Sequence, residues 1–407
     1  MAVEYRPLTP EDVEQAAHLE AVAFYGRPSP ERVELLRRYF PPQWTVAAFV
    51  DGRLVADVRT IPSARRINGG SVPIGAVGPV ACLAAYRRQG HVGRLLRLSL
   101  ERMRDQGQAL SGLHTPHDAL YARYGWERAE AKVQYACPPQ GVVLRLKGST
   151  GTLDTVGPDD WLRLDAVYRT YAQPRNGPLH RVEDWWREMV LRTYDENSQS
   201  REREALVWRD ERGADEGYVV YENRGMAPEG RWTPQAIWVR DFVSLSGDAY
   251  LGLWGHLLTH DLANQIVIEV APGDPFPDLT EEPSDIRVSR GEGAMLRIVD
   301  VERAISLRPY CGTEPASFTM RIADPAAPWN EGVWRLEAAD GRMSAERTDG
   351  DADVEMSVNT LAPLFTGHIR ADVAVGVGLL RLRRPEAVAE IARAFTVTYP
   401  PFCNDYY

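Results

Sequence analysis

In Val80-Ala-Cys-Leu-Ala-Ala-Tyr-Arg-Arg-Gln-Gly-His-Val-Gly-Arg-Leu-Leu96 an apolar run stops at a basic, glycine-containing loop and a new periodicity begins. Leu95, Leu96, Leu98, Leu100 and Met103 recur at helical spacing, with Arg94, Arg97, Glu101 and Arg102 on the other side. The segment is therefore predicted as strand, glycine loop and helix. Such a junction leaves backbone N–H groups free at the positive end of a helix dipole, and a glycine lets an anion approach closely. A pyrophosphate suits it. An ordinary strand-to-helix turn that uses Gly90 only to start its helix reads the same way locally.

Outward from this loop the elements alternate. Val3 to Arg6 is a short strand, and Thr9, Pro10, Glu11 and Asp12 open a helix carried by Val13, Ala16, Ala17 and Leu19. Thr45–Val50, Asp51-Gly52 and Leu54–Val58 form a hairpin, because Asp-Gly supplies the positive φ of a tight turn. A strand over Ile74–Leu83 leads into the loop. Ala109–Thr115 is a further strand, and Asp118–Tyr124 a short helix that Gly125 can end.

A Gly/Ser/Thr-rich patch over Lys147–Thr152 reads as a linker, and the first domain boundary is set there, giving 1–148, 149–298 and 299–407. The second unit repeats the order of cap, helix and hairpin: Val156–Trp161, Glu204–Trp208 and Glu216–Tyr221, then a strand at Trp238–Val243 and a helix through Leu253, Trp254, Leu257 and Leu258. It has no glycine loop between strand and helix, so it is expected to be a scaffold. The third unit alternates strands at Ala316–Ile322, Gly332–Leu336 and Val354–Val358, followed by helices over Val373–Leu382 and Pro385–Phe395. Its tail, Thr398–Tyr407, carries Tyr399, Phe402, Tyr406 and Tyr407, unlike a frayed terminus, and is expected to dock.

The 407 residues allow two to four folded units at roughly 100–200 residues each. Hydrophobic residues are 44% and charged residues 26%, enough to build several cores. Lys plus Arg is 47 against 57 Asp plus Glu, a net charge of −10, which disfavours nucleic acid and suits a cationic small molecule or a lysine side chain. Cys82, Cys137, Cys311 and Cys403 are far apart, with no CxxC pair and no His-rich cluster, so no metal is expected. No apolar run of about 18 residues occurs, so no membrane segment is expected and the protein is taken as cytoplasmic.

The order of strand, helix, hairpin, long strand, Arg-Arg-Gln-Gly loop and amphipathic helix resembles the GNAT superfamily of N-acetyltransferases, whose pattern here is Gln/Arg-x-x-Gly-x-Gly/Ala. Arg87-Arg-Gln-Gly90 fits its first half; the sixth position is Val92, and the next glycine is Gly93. That variant is similar to the enhanced intracellular survival acetyltransferases. Leu113-His-Thr-Pro-His-Asp-Ala-Leu-Tyr-Ala-Arg-Tyr-Gly-Trp126, Pro325-Ala-Ala-Pro-Trp-Asn-Glu-Gly-Val-Trp-Arg-Leu336 and the aromatic C-terminus resemble the same family. The resemblance implies an α/β (α+β) chain: tandem GNAT-type domains, the second degenerate, then a sterol-carrier-like domain. It also implies a homo-hexamer.

What the resemblance implies for the site is specific. Tyr121 is the general acid for the departing coenzyme A thiolate, and the main-chain carboxylate of Tyr407 assists the attacking amine through water. Val80, Ala81 and Cys82 present strand N–H and C=O groups to the pantetheine arm of acetyl-coenzyme A. Arg88, Gln89, Gly90, His91, Val92 and Gly93 surround its pyrophosphate, and Pro116 and His117 flank the acyl end. His114 lines the acceptor pocket or packs as a core histidine, Asp405 adds negative charge for a polyamine, and Tyr124 packs as core. Phe24-Tyr25-Gly-Arg27 is not acidic where family members are, which argues against tight binding of multiply charged aminoglycosides. The expected reaction is transfer of acetyl from acetyl-coenzyme A to a primary amine, an aminoglycoside-like polyamine or a lysine side chain. The alternative is a non-catalytic coenzyme A- or lipid-binding protein built on the sterol-carrier-like domain.

Overall fold

A computed structural model of the chain describes residues 2–27, 29–146, 150–194, 200–225 and 235–407. β1 (Val3–Pro7) leads through a 3-10 turn at Pro10–Asp12 into α1 (Val13–Ala23) and α2 (Pro30–Tyr39). Asp12 accepts hydrogen bonds from the Thr9 N–H at 2.8 Å and from Arg6 at 2.6 Å, tying that turn back to β1. β2 (Thr45–Val50) and β3 (Arg53–Ile67) make the expected hairpin, with Asp51 at φ 49° and Gly52 at φ 82°. Next come β4 (Gly70–Cys82), α3 (His91–Asp105), β5 (Leu110–Leu113), α4 (Asp118–Ala122) and β6 (Glu127–Arg128). The leucine stripe predicted for α3 is its packing face: Leu95, Leu96, Leu100 and Met103 are fully buried.

The chain then changes sheets. β7 (Ala131–Cys137) joins strands that come later in sequence: β8 (Thr152–Thr155), β11 (Glu204–Arg209), β12 (Asp215–Gly225), β13 (Gln235–Ser244), β14 (Gln265–Val270) and β15 (Arg287–Glu292), with β9 (Arg192–Tyr194) and β10 (Ser200–Glu202) as a separate ribbon. β16 (Met295–Ile298) returns to the first sheet, between β5 and β6. Among the described residues the two sheets run β1-β2-β3-β4-β5-β16-β6 and β8-β11-β12-β13-β14-β7-β15. They match position for position, and each takes its sixth strand from the other half of the chain. The single parallel pair falls at the same place in both, β4 with β5 and β13 with β14. The helices of the second half are α5 (Trp161–Ala172), α6 (Glu183–Trp185) running on into a π-turn at Trp186–Val190, and α7 (Gly247–Leu257). Lys147–Ser149, inside the linker expected from sequence, lies outside the described residues.

α8 (Val301–Leu307) opens the last part, followed by β17 (Ala316–Ala323), β18 (Gly332–Ala339), β19 (Arg342–Arg347), β20 (Val354–Ser357), α9 (Val358–Thr366), α10 (Ala371–Gly376), β21 (Arg381–Leu382) and α11 (Ala387–Ala394). The helix expected over Val373–Leu382 stops at Gly376. Gly378 takes φ +78°, a left-handed turn, and Arg381–Leu382 becomes an edge strand instead. Arg383 and Arg384 are drawn into pairs with Glu355 and Asp353 at 3.0 and 2.8 Å. One apolar core runs without a break from Ile74, Leu110 and Leu296 of the first sheet to Phe318, Leu336 and Phe365 of the last part. Asn359 of α9 donates to the carbonyls of Ala122 and Trp126, so the last part grips the segment that carries Tyr121.

Candidate active site

β4 and β5 are hydrogen-bonded only from Ile74 and Leu110 to Ala76 and Gly112. Beyond that point they part. Gly78 and Pro79 stand opposite the single residue Arg59, where the β3–β4 register shifts between Val58 and Thr60. A cavity of ≈ 1600 Å³ fills the gap, walled by α1, α2, β3, β4, the start of α3, the loop after β5 and the segment Leu179–Met189 of the second half, with Tyr407 at its floor.

On one side of the cavity lies the start of α3. Gly90 caps the helix at φ 87°, and the first intrahelical bond there is Arg94 N–H to the Gly90 carbonyl at 3.0 Å. The N–H groups of His91, Val92 and Gly93 therefore have no acceptor within the helix. A Cβ at Gly90 would meet nothing within 4 Å, so the approach is open. Arg88 is held at φ 62°, a left-handed conformation that costs a non-glycine residue roughly 1–2 kcal/mol. Gly93 has a different reason: a Cβ there would fall 2.1 Å from the Tyr124 hydroxyl, which packs on the first turn of α3. The corresponding helix of the second half closes itself, because the Ser246 hydroxyl accepts the Ala249 N–H at 3.2 Å.

The sequence-predicted donor-site residues sort by side. Val80, Cys82, Arg88, Gly90, His91, Val92, Gly93, Pro116 and His117 line the cavity. Ala81 is buried on the opposite face of β4, and the Gln89 side chain turns back to donate to the Ala85 carbonyl at 3.0 Å. The His91 ring is anchored by the Tyr5 hydroxyl at 2.9 Å, which leaves its main-chain N–H as the group it offers.

Tyr121 lines the cavity, is 8% exposed and packs edge-on against Trp126 at 6.3 Å. Its hydroxyl has no protein partner among the described residues. Burial pushes its phenol up to about 12. His114 faces the cavity from the end of β5, and its Nε2–H donates to the Asp405 carbonyl at 3.0 Å. A carbonyl can only accept, so Nε2 carries the proton. Burial, with Lys132 next, lowers the ring to about 3 and keeps it neutral.

The tail is fixed residue by residue. The Phe402 N–H donates to the Asn176 carbonyl at 2.9 Å, and Asn404 Nδ2 donates to the Arg240 carbonyl at 2.6 Å. Asp405 is 1% exposed and is gripped by Arg181 Nε at 3.1 Å and Trp185 Nε1 at 2.9 Å. Burial raises its carboxyl, but Arg181, Arg240 and the Trp185 N–H outweigh that and hold it below the usual carboxylate range. Asp241 in turn takes Arg181 Nη1 at 2.5 Å and the Tyr218 hydroxyl at 2.7 Å. The Tyr406 ring lies under Lys132 Nζ at 4.0 Å and its hydroxyl donates to Glu269 at 2.7 Å. The Tyr407 ring sits 5.2 Å from His114, and its main-chain oxygen rests on Gly78. The carboxylate of Asp405 thus faces the clamp, whereas the Tyr407 main chain faces the cavity.

Two features are absent from the sequence reading. The segment from His180 to Met189 builds a whole cavity wall and the clamp, although it lacks any recognisable motif. Across from it, Glu20 of α1 is 1% exposed and takes both Arg59 and Arg32, the latter at 2.9 Å. The break at Gly78 was signalled by a Gly-Pro step inside a strand. No group of three His, Cys, Asp or Glu side chains suited to a metal occurs among the described residues.

Residues 4–129 match the family model of an acetyltransferase (GNAT) domain, residues 177–298 match a second acetyltransferase (GNAT) domain and residues 301–404 match a sterol carrier protein domain. An uncharacterized N-acetyltransferase of Streptomyces avermitilis is 26% identical over 99% of this chain and 98% of its own length. The N-acetyltransferase Eis of Mycobacterium tuberculosis is 26% identical over 81% of this chain and 79% of its own. Among solved structures, a GCN5-related N-acetyltransferase from Anabaena variabilis superposes with a TM-score of 0.87 at 19% identity, covering 100% of both chains, which shows a shared fold.

Proposed function

From a chain that belongs to the Eis-like GNAT N-acetyltransferases, we propose direct transfer of acetyl from acetyl-coenzyme A to a primary amine, without a covalent acyl-enzyme. The observation that carries this is the split between β4 and β5, with free helix N–H groups on one side, a cavity-facing phenol beside it and the Tyr407 main chain at the floor.

The residues divide the work by chemistry. The N–H groups of His91, Val92 and Gly93, with Arg88, hold the pyrophosphate of acetyl-coenzyme A, and the main chain of Val80, Ala81 and Cys82 aligns its pantetheine arm. Pro116 and His117 flank the acyl end. Tyr121 donates to the departing sulfur. A phenol at about 12 stays protonated at neutral pH, and its full transfer to a thiolate near roughly 8.5 runs uphill. Tyr121 therefore acts first as a hydrogen-bond donor, the proton following as the amine sheds its own. The carboxylate of Tyr407 attracts the ammonium and orders the water through which that group loses its proton to solvent. His114, neutral and bonded to Asp405, holds the tail in line. Orientation of amine and thioester in one cavity supplies much of the rate.

The acceptor is a primary amine. An aminoglycoside-like polyamine, a lysine side chain and a small metabolite amine are the candidate classes. Asp405, paired with Arg181, acts on any of them through the tail it positions. A homo-hexamer in the cytoplasm is the proposed assembly and place; among the described residues no helix is long and apolar enough to cross a membrane.

The test is thiol release from acetyl-coenzyme A across a panel of amines, with wild type beside a chain extended by a few residues beyond Tyr407. Turnover by the wild type and its loss in the extended chain, with acetyl-coenzyme A still bound, is the expected result. Full activity of the extended chain removes the carboxylate role, and absence of turnover with every amine removes the enzyme reading of this cavity.

A further inference from the structure

The acceptor half of the cavity is not acidic where α1, α2 and β3 meet. Among the described residues Glu20 is the one carboxylate there that pairs, and it serves two guanidinium groups: Arg59 Nη2 on one oxygen and Arg32 Nη2 on the other at 2.9 Å. Asp57, the neighbouring acid on β3, is fully buried and has no side-chain partner among the described residues. Burial, then the charge of Glu20, pushes its carboxyl well above the usual range. Two guanidinium groups thus share one paired acid at this wall of the cavity.

Arg59 is placed to use its own charge. It is 4% exposed, its guanidinium lies 4.9 Å from the Phe40 ring centre, and it lines the cavity opposite Gly78, the residue that supports the Tyr407 main chain. Among the described residues its Nη2 has Glu20 and its Nη1 has no acceptor; of its nitrogens, Nε alone is sealed off without a partner. Nη1 is therefore the edge that the cavity can reach. Arg32, with a side chain 34% exposed, lines the same wall. On the facing wall, Glu188 is engaged by the Tyr39 hydroxyl at 2.8 Å and by Arg192 at 3.1 Å, and exposed Asp184 adds negative charge. With Glu188 paired, Asp184 is the exposed acid of that wall.

We propose that Arg32 and Arg59 form an anion subsite beside the reaction centre, and that the amine acetylated here carries a carboxylate, as a free amino acid does. The proposal rests on the cavity being an acetyltransferase site. A carboxylate would accept from Arg59 Nη1 and from the exposed edge of Arg32, while the amine turns toward Tyr407. A polyamine would instead bring its second cation against two arginines that share one acid. The subsite selects among the acceptor classes.

The experiment compares acetyl transfer to matched pairs, an amino acid and the amine left by its decarboxylation, such as tyrosine with tyramine and ornithine with putrescine. The full chain is used as wild type, Arg32→Gln and Arg37→Gln. Arg37 lies on the same helix but outside the cavity, paired with Glu14 at 3.1 Å. The expected result is a kcat/KM about tenfold or more in favour of the amino acids, as a charge-assisted pair supplies. The ratio shrinks in Arg32→Gln and persists in Arg37→Gln. Equal or better use of the decarboxylated amines overturns the subsite while leaving acetyl transfer standing, and so does a preference that Arg32→Gln leaves intact. If neither set is acetylated while another amine of the panel is, the subsite is overturned and acetyl transfer stands; if no amine of the panel is acetylated, the transfer reading fails, and thermal shifts with N-acetyltyrosine and N-acetyltyramine decide the subsite. A shift with N-acetyltyrosine alone, lost in Arg32→Gln, supports it; no such difference overturns it.

Discussion

The main-chain oxygen of Tyr407 rests against Gly78: a Cβ on that glycine would stand 2.7 Å from it and 2.9 Å from the carbonyl carbon. Backbone cannot yield as a flexible side chain can, so Gly78→Ala must push the end of the chain out of the gap between β4 and β5. Displacement of a reacting group by about 1 Å can cost 10²-fold in rate. Gly78→Ala is expected to lower kcat by about tenfold to a hundredfold, with the KM for acetyl-coenzyme A little changed, since the α3 loop is untouched. Steady-state kinetics with varied acetyl-coenzyme A checks this; an unchanged kcat would detach the tail from the chemistry.

The Tyr407 hydroxyl is buried, has no hydrogen-bond partner among the described residues and presses on Gly112, where a Cβ would lie 2.4 Å from it. An unsatisfied buried hydroxyl costs stability, and its removal leaves the ring to pack as before. Tyr407→Phe is expected to leave melting temperature unchanged or raise it by a few degrees, about 1 kcal/mol at most. Activity should stay within about twofold, because the proposed chemistry belongs to the main-chain carboxylate. Calorimetry and thiol release on the same preparation separate the two effects.

For Tyr121 the direction of its shift sets the pH test. A phenol raised to about 12 keeps its proton throughout the working range, so the acid form is lost only as pH climbs toward that value. Tyr121→Phe is expected to cut kcat by about 10²-fold or more. Its hydroxyl opens on the cavity, so melting temperature should hardly move. Between pH 7 and 10 the variant's pH profile should keep the wild-type shape. An alkaline fall near pH 9 that disappears in Tyr121→Phe would contradict a buried, protonated donor.

How much of this was written locally depends on the element. The α3 loop was legible because Gly90 and the leucine stripe from Leu95 to Met103 mark a strand-to-helix junction without help from the rest of the chain. The docked tail was legible from its aromatic residues. The exchange of β7 and β16 was not, since Ala131–Cys137 and Met295–Ile298 are ordinary strands whose sheet is chosen by long-range pairing alone. The wall from His180 to Met189 was hidden for a similar reason: Arg181 and Trp185 acquire their meaning only when Asp405, more than two hundred residues later, arrives between them. Arg32 and Arg59 carry no local motif, and they come together only because α1 brings Glu20 beneath both. The helix expected to reach Leu382 failed on a local signal that was present, the glycines at 376 and 378.

The His114 bond to the Asp405 carbonyl makes the tail sensitive to acid at a pH where carboxylates are still charged. The ring ordinarily titrates near 6.5 and is held at about 3 in the fold, chiefly by burial. Below pH 6.5 the unfolded chain takes up a proton that the folded chain refuses, so stability falls with falling pH, by up to about 1.4 kcal/mol per pH unit, until about pH 3. Asp405 shifts in the same direction but from a lower starting value: its folded pKa is depressed, so its contribution is present above the ordinary carboxylate value and is lost only as pH drops below it. In the window between pH 6.5 and 4 His114 therefore contributes together with His256 and His368, whose rings burial also holds below the ordinary histidine value. His114→Gln can still donate a hydrogen bond to the Asp405 carbonyl but does not titrate. It is expected to make the stability curve shallower in that window by the His114 share and to leave wild-type stability near pH 7.5. Asp405→Asn should lower stability at every pH above 4, because it leaves Arg181 facing Asp241 alone in a buried site, a loss of about 3–5 kcal/mol for a broken buried pair. Urea unfolding of the wild type and both variants across pH 4 to 8 distinguishes them; a slope between pH 6.5 and 4 that is undiminished in His114→Gln would assign the acid sensitivity to other groups.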